Sequence, residues 1–401
     1  MADFNAMHVI EAMRSGVPSR AVGAYFSEAR PAMLNRIRDK MEAVKNTAKS
    51  ESMIFRGSYG EGKTHMLNTV FSMAAEENLA VSYVSLGKET PMDKPHLLYS
   101  RLIANTYLPG KEQPGFRTIL EEMTSGSGAA GELMAFAATG LETNKIYYLL
   151  RAMWGTQDEE EKEQLLGDLE GDFVSNALIK KSYRRVTGKP AQFNQNFTKT
   201  KHCMDYFAFM STLFRQVGLG GWVILFDEAE LIGRLGKKAR AKSYRNMQQF
   251  LQPSGQMEGV FSLFAFSTSF TEDVIDKKHE FNNLEEIFAE DPAALKAAKG
   301  TLNGVINAPE LASLTREETL QVMASIQEFH ALAYEWTPGL APETIYAATE
   351  GGGYLLRTRI RAAIELLDQL YQYGEAGKVK ITELGKETFE EDETPELPDD
   401  E

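Results

Sequence analysis

Cysteine is almost missing: the chain of 401 residues has one, Cys203. A lone cysteine forms no internal disulfide and suits a reducing compartment, where it is expected to be an inert, packed or half-exposed thiol. No apolar run approaches the ~18 residues that read as a membrane span. The start, Met1-Ala2-Asp3-Phe4-Asn5, lacks the basic-then-apolar layout of an export signal. A cytoplasmic protein with no membrane contact is the expectation. The six histidines are scattered, with no H-E-x-x-H and no Cys/His cluster, which argues against a zinc site. Internal repeats and a G-x-S-x-G nucleophile elbow are also absent. Cations are the minority, 43 Lys and Arg against 57 acids, so the net charge of −14 excludes a uniformly basic nucleic-acid binder. The imbalance is concentrated: residues 383–401 hold ten acids and one lysine. That leaves a body closer to neutral, with room for local basic patches.

What is present is ordinary in bulk, 43% hydrophobic and 25% charged, in a chain long enough for two or three structural units. Its organising stretch runs Ser52-Met53-Ile54-Phe55-Arg56-Gly57-Ser58-Tyr59-Gly60-Glu61-Gly62-Lys63-Thr64-His65. This is a short apolar strand, then G-x-x-x-x-G-K-[ST], then the start of a helix. Glycines let the backbone turn tightly and bring N–H groups near phosphate oxygens. A helix beginning at Lys63 aims the positive end of its dipole at the same place. The whole loop, Gly57, Ser58, Tyr59, Gly60, Glu61, Gly62, Lys63, Thr64 and His65, is the candidate ATP cradle. Lys63 reaches the β- and γ-phosphates, and the Thr64 hydroxyl ligates Mg²⁺.

A second apolar strand over 79–86 makes a βαβ unit and implies a parallel sheet. Residues 95–107 and 112–123 read as helices, and 125–131, rich in Gly and Ser, as a flexible joint or helix break. The stretch 132–215 is mostly helical by periodicity and holds two opposed charge blocks. Residues 158–172 are strongly acidic, whereas 173–201 carry no acid but seven cations, among them Lys180, Lys181, Arg184 and Arg185. Tyr183, Phe193 and Phe197 are interleaved there. Two readings stand for this segment: a DNA or partner contact, or a solvated face balancing the acidic block.

Gly221-Trp222-Val223-Ile224-Leu225-Phe226-Asp227-Glu228-Ala229-Glu230 is the second anchor. Apolar residues ending in Asp-Glu match a buried parallel strand with its acids at the carboxyl end, where ligands of open α/β sheets sit. Asp227 suits holding Mg²⁺ and Glu228 suits polarising the attacking water. The basic stretch that follows offers Arg234, Arg240 and Arg245 as an arginine finger for a neighbouring copy, as DNA-phosphate contacts, or as plain surface charge. Another buried strand, 260–266, ends in Ser267 and Thr268. Such a polar end can position the hydrolytic water, and Ser267 is favoured for it. Residues 270–310 read as mixed, acidic excursions over the sheet. From Thr315, with Glu318 three residues on, a capping box opens helices over about 316–334, 341–349 and 354–373. Gly351, Gly352 and Gly353 form a hinge before Arg357, Arg359 and Arg361, of which Arg357 is the choice for a lid arginine on the γ-phosphate.

The chain thus divides into an N-terminal helical adaptor (1–48), a P-loop ATPase domain (49–295) with a helical insertion at about 110–215, a C-terminal helical lid (296–382) and an acidic, disordered tail (383–401). The fold class expected is α/β, an AAA+-like P-loop NTPase with a parallel sheet flanked by helices.

Four spaced stretches carry a family resemblance: 10–19 (Ile10 to Ser19), the 57–64 loop, Gly87-Lys88-Glu89-Thr90-Pro91, and 226–234 (Phe226 to Arg234). The chain resembles the ATP-binding proteins of bacterial BREX phage-defence systems, the BrxD-like group, akin to AAA+ and Cdc6/Orc proteins. Leu314-Thr315 and 330–334 fit the same group. The resemblance implies Lys63, Thr64, Asp227 and Glu228 at the nucleotide, and a role in defence against foreign DNA beside other defence-system proteins. Ala229 and Ser267-Thr268-Ser269 depart from the pattern. Two functions remain in view: an ATP-hydrolysing machine, and a nucleotide-gated switch or scaffold with negligible turnover.

Overall fold

The structure, a computed structural model, describes residues 6–15, 30–123, 125–253, 256–349 and 355–375. Residues 16–19 of the first family stretch, the glycine hinge at 351–353 and the acidic tail lie outside the described residues. Helix α1 (Ala6–Ser15) comes first, then α2 (Pro31–Thr47), with proline in its first turn where a missing N–H costs nothing. Strand β1 (Glu51–Gly57), helix α3 (Lys63–Glu76) and strand β2 (Ala80–Ser85) form the βαβ unit that the apolar pattern predicts. Next come α4 (Pro95–Ala104), the two-residue strand β3 (Thr106–Tyr107), α5 (Arg117–Glu122) and α6 (Gly128–Thr139). They are followed by α7 (Lys145–Gly155), α8 (Glu159–Gly167), α9 (Asn176–Thr187), α10 (Lys199–His202) and α11 (Met204–Gln216). Strand β4 (Trp222–Asp227) leads through a 3-10 turn (Ala229–Arg234) into α12 (Lys237–Leu251), and β5 (Val260–Ser267) follows. The chain continues with α13 (Glu280–Ile287), α14 (Pro292–Ile306), α15 (Arg316–Tyr334), α16 (Pro342–Thr349) and α17 (Leu356–Tyr373).

The sheet order is β1-β5-β4-β2-β3, parallel except for β3. Register pairs Gly57 with Ser267 and Ser85 with Asp227, so the carboxyl ends of four strands share one edge. Strands stand roughly 4.8 Å apart, so with β5 between them β1 and β4 are about 10 Å apart. The glycine loop and the acids therefore face each other across the polar end of β5. Every residue of β4 and β5 is buried, as expected of central parallel strands covered on both faces.

One face of the sheet, including Ile224, Phe226 and Phe264, packs on the helical insertion and α12 to α14. The other, including Phe55, Val223 and Leu263, packs on α2 and α3. A third core joins α1 to α15, α16 and α17 through Ile10, Met13, Met323 and Leu367. Among the described residues of 1–48, α2 packs under the sheet and α1 packs with the C-terminal helices. Helix α14, assigned from sequence to the lid, packs into the sheet core through Ala298 and Leu302.

Other sequence expectations change for local reasons. Helix α4 stops at Ala104 because Thr106 pairs with Ser82 on β2, its hydroxyl 2.6 Å from the Ser82 hydroxyl. Pro114 and Gly115 (φ 140°) hold off the next helix until Arg117. The Gly/Ser stretch at 125–131 starts a helix, Ser127 accepting the Ala130 N–H. Residues 270–310 are largely helical, with Asp291 capping α14. Inside the insertion, Lys145 and Asp168 form a fully buried pair at 2.7 Å, and the Tyr206 hydroxyl donates to the other Asp168 oxygen. Cys203 is buried, its thiol pushed up to about 12 by burial. Among the described residues no helix is long and apolar enough to cross a membrane.

The third core has a polar centre. His330 is fully buried, accepts the Trp336 indole N–H at Nδ1 (2.9 Å) and faces Asp368 through Nε2 (3.0 Å). Arg14 of α1 also binds Asp368, at 2.8 Å. Burial lowers the His330 pKa below its ordinary 6.5, with Asp368 acting in the opposite sense. The unfolded chain then binds more protons in the window just below 6.5, so this contribution to stability is complete above 6.5 and shrinks as pH falls through that window. In urea unfolding between pH 7.5 and 5.5, the wild type should lose midpoint more steeply than His330→Gln. Parallel curves would show that His330 does not carry the slope.

Candidate nucleotide site

The glycine loop closes between β1 and α3. Gly60 (φ 78°) and Gly62 (φ 94°) sit in left-handed conformations, and a Cβ on Gly60 would stand 3.2 Å from Leu355. Lys63 is buried, its Nζ donating to the Gly57 carbonyl (3.2 Å) and standing 3.4 Å from Glu230 Oε1. Thr64 and His65 follow in the first turn of α3, half-buried. Ser58 opens the loop with its hydroxyl 3.2 Å from that of Thr268, and the Thr268 N–H donates to Gly57 O at 3.3 Å. The end of β5 is thus stitched to the cradle through Thr268. Ser267 is buried and its hydroxyl lies 3.1 Å from that of Ser269.

Asp227, at the end of β4, is 2% exposed yet has both oxygens engaged. The Tyr83 hydroxyl donates to Oδ2 at 2.5 Å and the Glu228 N–H donates to Oδ1 at 2.9 Å. Burial, then the charge of Asp227, push the Tyr83 phenol far above its ordinary value. Glu228 takes a left-handed conformation (φ 52°) and its side chain is exposed at the sheet edge. Two residues on, inside the 3-10 turn, Glu230 is buried and turned to Lys63.

The lid touches the loop directly. The Arg357 N–H donates to Gly60 O (3.2 Å), and its guanidinium donates to the Tyr59 hydroxyl (3.0 Å) while lying over that ring. Arg359 instead lies over Tyr346, 4.4 Å from the ring centroid. Arg30, just before α2, ties three parts together. It donates to the Glu61 carbonyl in the loop (2.7 Å) and to Ala312 O ahead of α15 (2.8 Å), and its backbone N–H binds the Glu318 carboxylate (3.0 Å). Burial holds the Arg30 guanidinium below its ordinary value, with Glu61 and Glu318 opposing.

Several expected functional residues go elsewhere. Arg240 is buried against Glu280 (2.8 Å) and donates to Leu235 O (2.7 Å), so it braces α12 and is not available to a neighbour. Arg234 is half-buried and helps line a cavity of about 310 Å³ with Lys88 and Met92; Arg245 is exposed on α12. In the acid-free segment Tyr183 and Phe197 are buried and turn into the insertion core, whereas Phe193 stays half-buried beside a surface cation. Arg185 pairs with Glu161 and Asp158 of the acidic block. Lys180, Lys181 and Arg184 are exposed, and the Lys180 Nζ lies 5.1 Å from the Phe193 ring centroid. Arg30, Tyr83 and Glu230 were not found by sequence reasoning. Only Glu230, in the Asp-Glu-x-Glu run, had a local signal.

The donors near the loop are hard oxygens, the Thr64 hydroxyl and the Asp227 carboxylate, which fit Mg²⁺, and a Cβ would crowd the loop at Gly60. A mostly parallel sheet, a glycine loop ending its first strand and a helix starting at the loop lysine are the features of a P-loop α/β protein. More specifically, the chain belongs to the family described as BREX system ATP-binding protein BrxC/D, whose model matches residues 3–128 and 135–384. ATP is accordingly the ligand this family is described as binding, and BREX phage defence its setting. No curated protein and no solved structure matches the chain.

Proposed function

We propose that the chain is a Mg²⁺-dependent ATPase of AAA+-like type that drives conformational or assembly changes in a BREX defence complex. The observation that supports this most is the 3.4 Å approach of Lys63 Nζ to Glu230, which sets the phosphate loop against the turn that leaves the acidic strand. Lys63 neutralises β/γ charge, Thr64 and Asp227 would hold Mg²⁺, and Glu228 polarises the attacking water. Bound Mg²⁺ supplies charge neutralisation at the phosphate oxygens. Ser267 holds the water from the side of β5, and Arg357 turns from Tyr59 toward the γ-phosphate. Phosphoryl transfer asks mostly for positioning and for stabilising spread negative charge, so few residues suffice. Arg234 or Arg245 is the candidate arginine for a neighbouring copy, and Lys180, Lys181 and Arg184 the candidate DNA contact.

A second reading, a switch with negligible turnover, draws support from the hydrogen bonds of the lid residue Arg357 to Gly60 and Tyr59, and from Arg30, which bridges Glu61 of the loop to Ala312 and Glu318. Lid position would then report nucleotide occupancy. Nucleotide titration and phosphate release, each with and without duplex DNA, separate the two. Steady, DNA-stimulated release is expected. Saturable binding without release would leave the switch, and failure to bind ATP would end both readings.

A further inference from the structure

We propose that Tyr83 is a positioning residue that aims the Asp227 carboxylate at the metal, and so sets the Mg²⁺ dependence of nucleotide binding. This rests on the ATP and Mg²⁺ reading above and concerns a side chain on a strand that carries none of the recognised nucleotide motifs. Strands β2 and β4 pair with Tyr83 opposite Leu225 and Ser85 opposite Asp227. Tyr83 and Ser85, two residues apart, share a face of the sheet. Asp227 is therefore the diagonal neighbour of Tyr83, a separation that aromatic side chains span. The phenol uses that reach: its hydroxyl donates to Oδ2 at 2.5 Å. The other oxygen is held by the Glu228 N–H at 2.9 Å.

Two donors from different directions hold the carboxylate plane against rotation about its terminal torsion, which is otherwise broad. Each oxygen retains a second lone pair, so the carboxylate stays able to coordinate a metal or to accept a hydrogen bond from its water. Asp227 is 2% exposed, so bulk solvent cannot replace a lost donor easily. The Tyr83 ring also packs against the core under the sheet. Phenylalanine keeps that packing and removes only the hydroxyl.

The test is Tyr83→Phe, read as binding of a fluorescent ATP analogue while MgCl₂ is titrated, with the same analogue in EDTA as the reference. Loss of a group that orients a metal ligand typically weakens metal affinity by about 10–100-fold. The Mg²⁺ concentration giving half-maximal enhancement should rise by that factor, with Mg²⁺-free binding unchanged. In an Asp227→Asn background the same substitution should add nothing, because the two act through one carboxylate. An unchanged Mg²⁺ midpoint, or an equal loss with and without Mg²⁺, overturns the proposal, the latter by revealing a purely structural role. If the wild type binds no nucleotide, the ATP reading itself fails and takes this inference with it.

Discussion

The Glu228→Gln variant should bind ATP like the wild type and hydrolyse it roughly 10²–10⁴-fold more slowly, the range of a general-base contribution. The substitution keeps size and the left-handed backbone (φ 52°), and the N–H that holds Asp227 Oδ1 is unaffected. Only the proton-accepting group is lost. The structure supplies a control in the same turn, because Glu230 is buried against Lys63 while Glu228 is exposed. Glu230→Gln should change nucleotide affinity more than turnover, since it alters the charge facing the phosphate-binding lysine. If Glu228→Gln turned over normally and Glu230→Gln did not, the roles of the two carboxylates would be exchanged.

Lys63→Ala should abolish measurable nucleotide binding and also destabilise the fold. Charge-assisted hydrogen bonds contribute about 1.5–3 kcal/mol each, so losing contacts to two phosphates weakens binding by about 10²–10⁴-fold. The stability effect has another source. Lys63 and Glu230 are both nearly inaccessible, with side chains 9% and 3% exposed. Removing one partner of a buried ion pair costs about 3–5 kcal/mol, because the other charge stays buried without its counter-ion. Urea unfolding should report that loss, and Lys63→Ala combined with Glu230→Gln should regain most of it without regaining nucleotide. Retained nucleotide binding in Lys63→Ala would remove the loop from the proposed site. Unchanged stability would mean that the Lys63–Glu230 pair carries little energy in solution.

Much of the strand and helix framework was legible because its signals are local. The β1 loop and α3 follow from one contiguous glycine pattern, the burial of β4 and β5 from unbroken apolar runs, and the start of α15 from a capping box that the structure contains in full. The errors arose where a local signal had a non-local use. Arg240 lies in a basic stretch that reads as surface, yet Glu280, 40 residues away, draws it into the interior. Tyr183 alternates with cations along the chain, but helix periodicity sends its ring to the buried side of α9 and leaves Lys181 and Arg184 exposed. Phe197, in the loop before α10, is drawn in by Phe173 and Tyr206. Helix α1 has an apolar face that matches any core, and nothing in its residues names the C-terminal helices as its partner.

The amino-acid order by itself determined the glycine loop, the acidic strand end and membership of the BREX ATP-binding family. In each case the signal lies in residues adjacent in the chain, so order and spacing alone reveal it. Tertiary structure alone decided that Tyr83 grips Asp227, that Glu230 faces Lys63, and that Arg30 and Arg357 lock the helices of the lid to the loop. Those pairings depend on which strands lie side by side and in what register. Register is set by how the whole chain buries its apolar faces, a quantity that no short stretch contains.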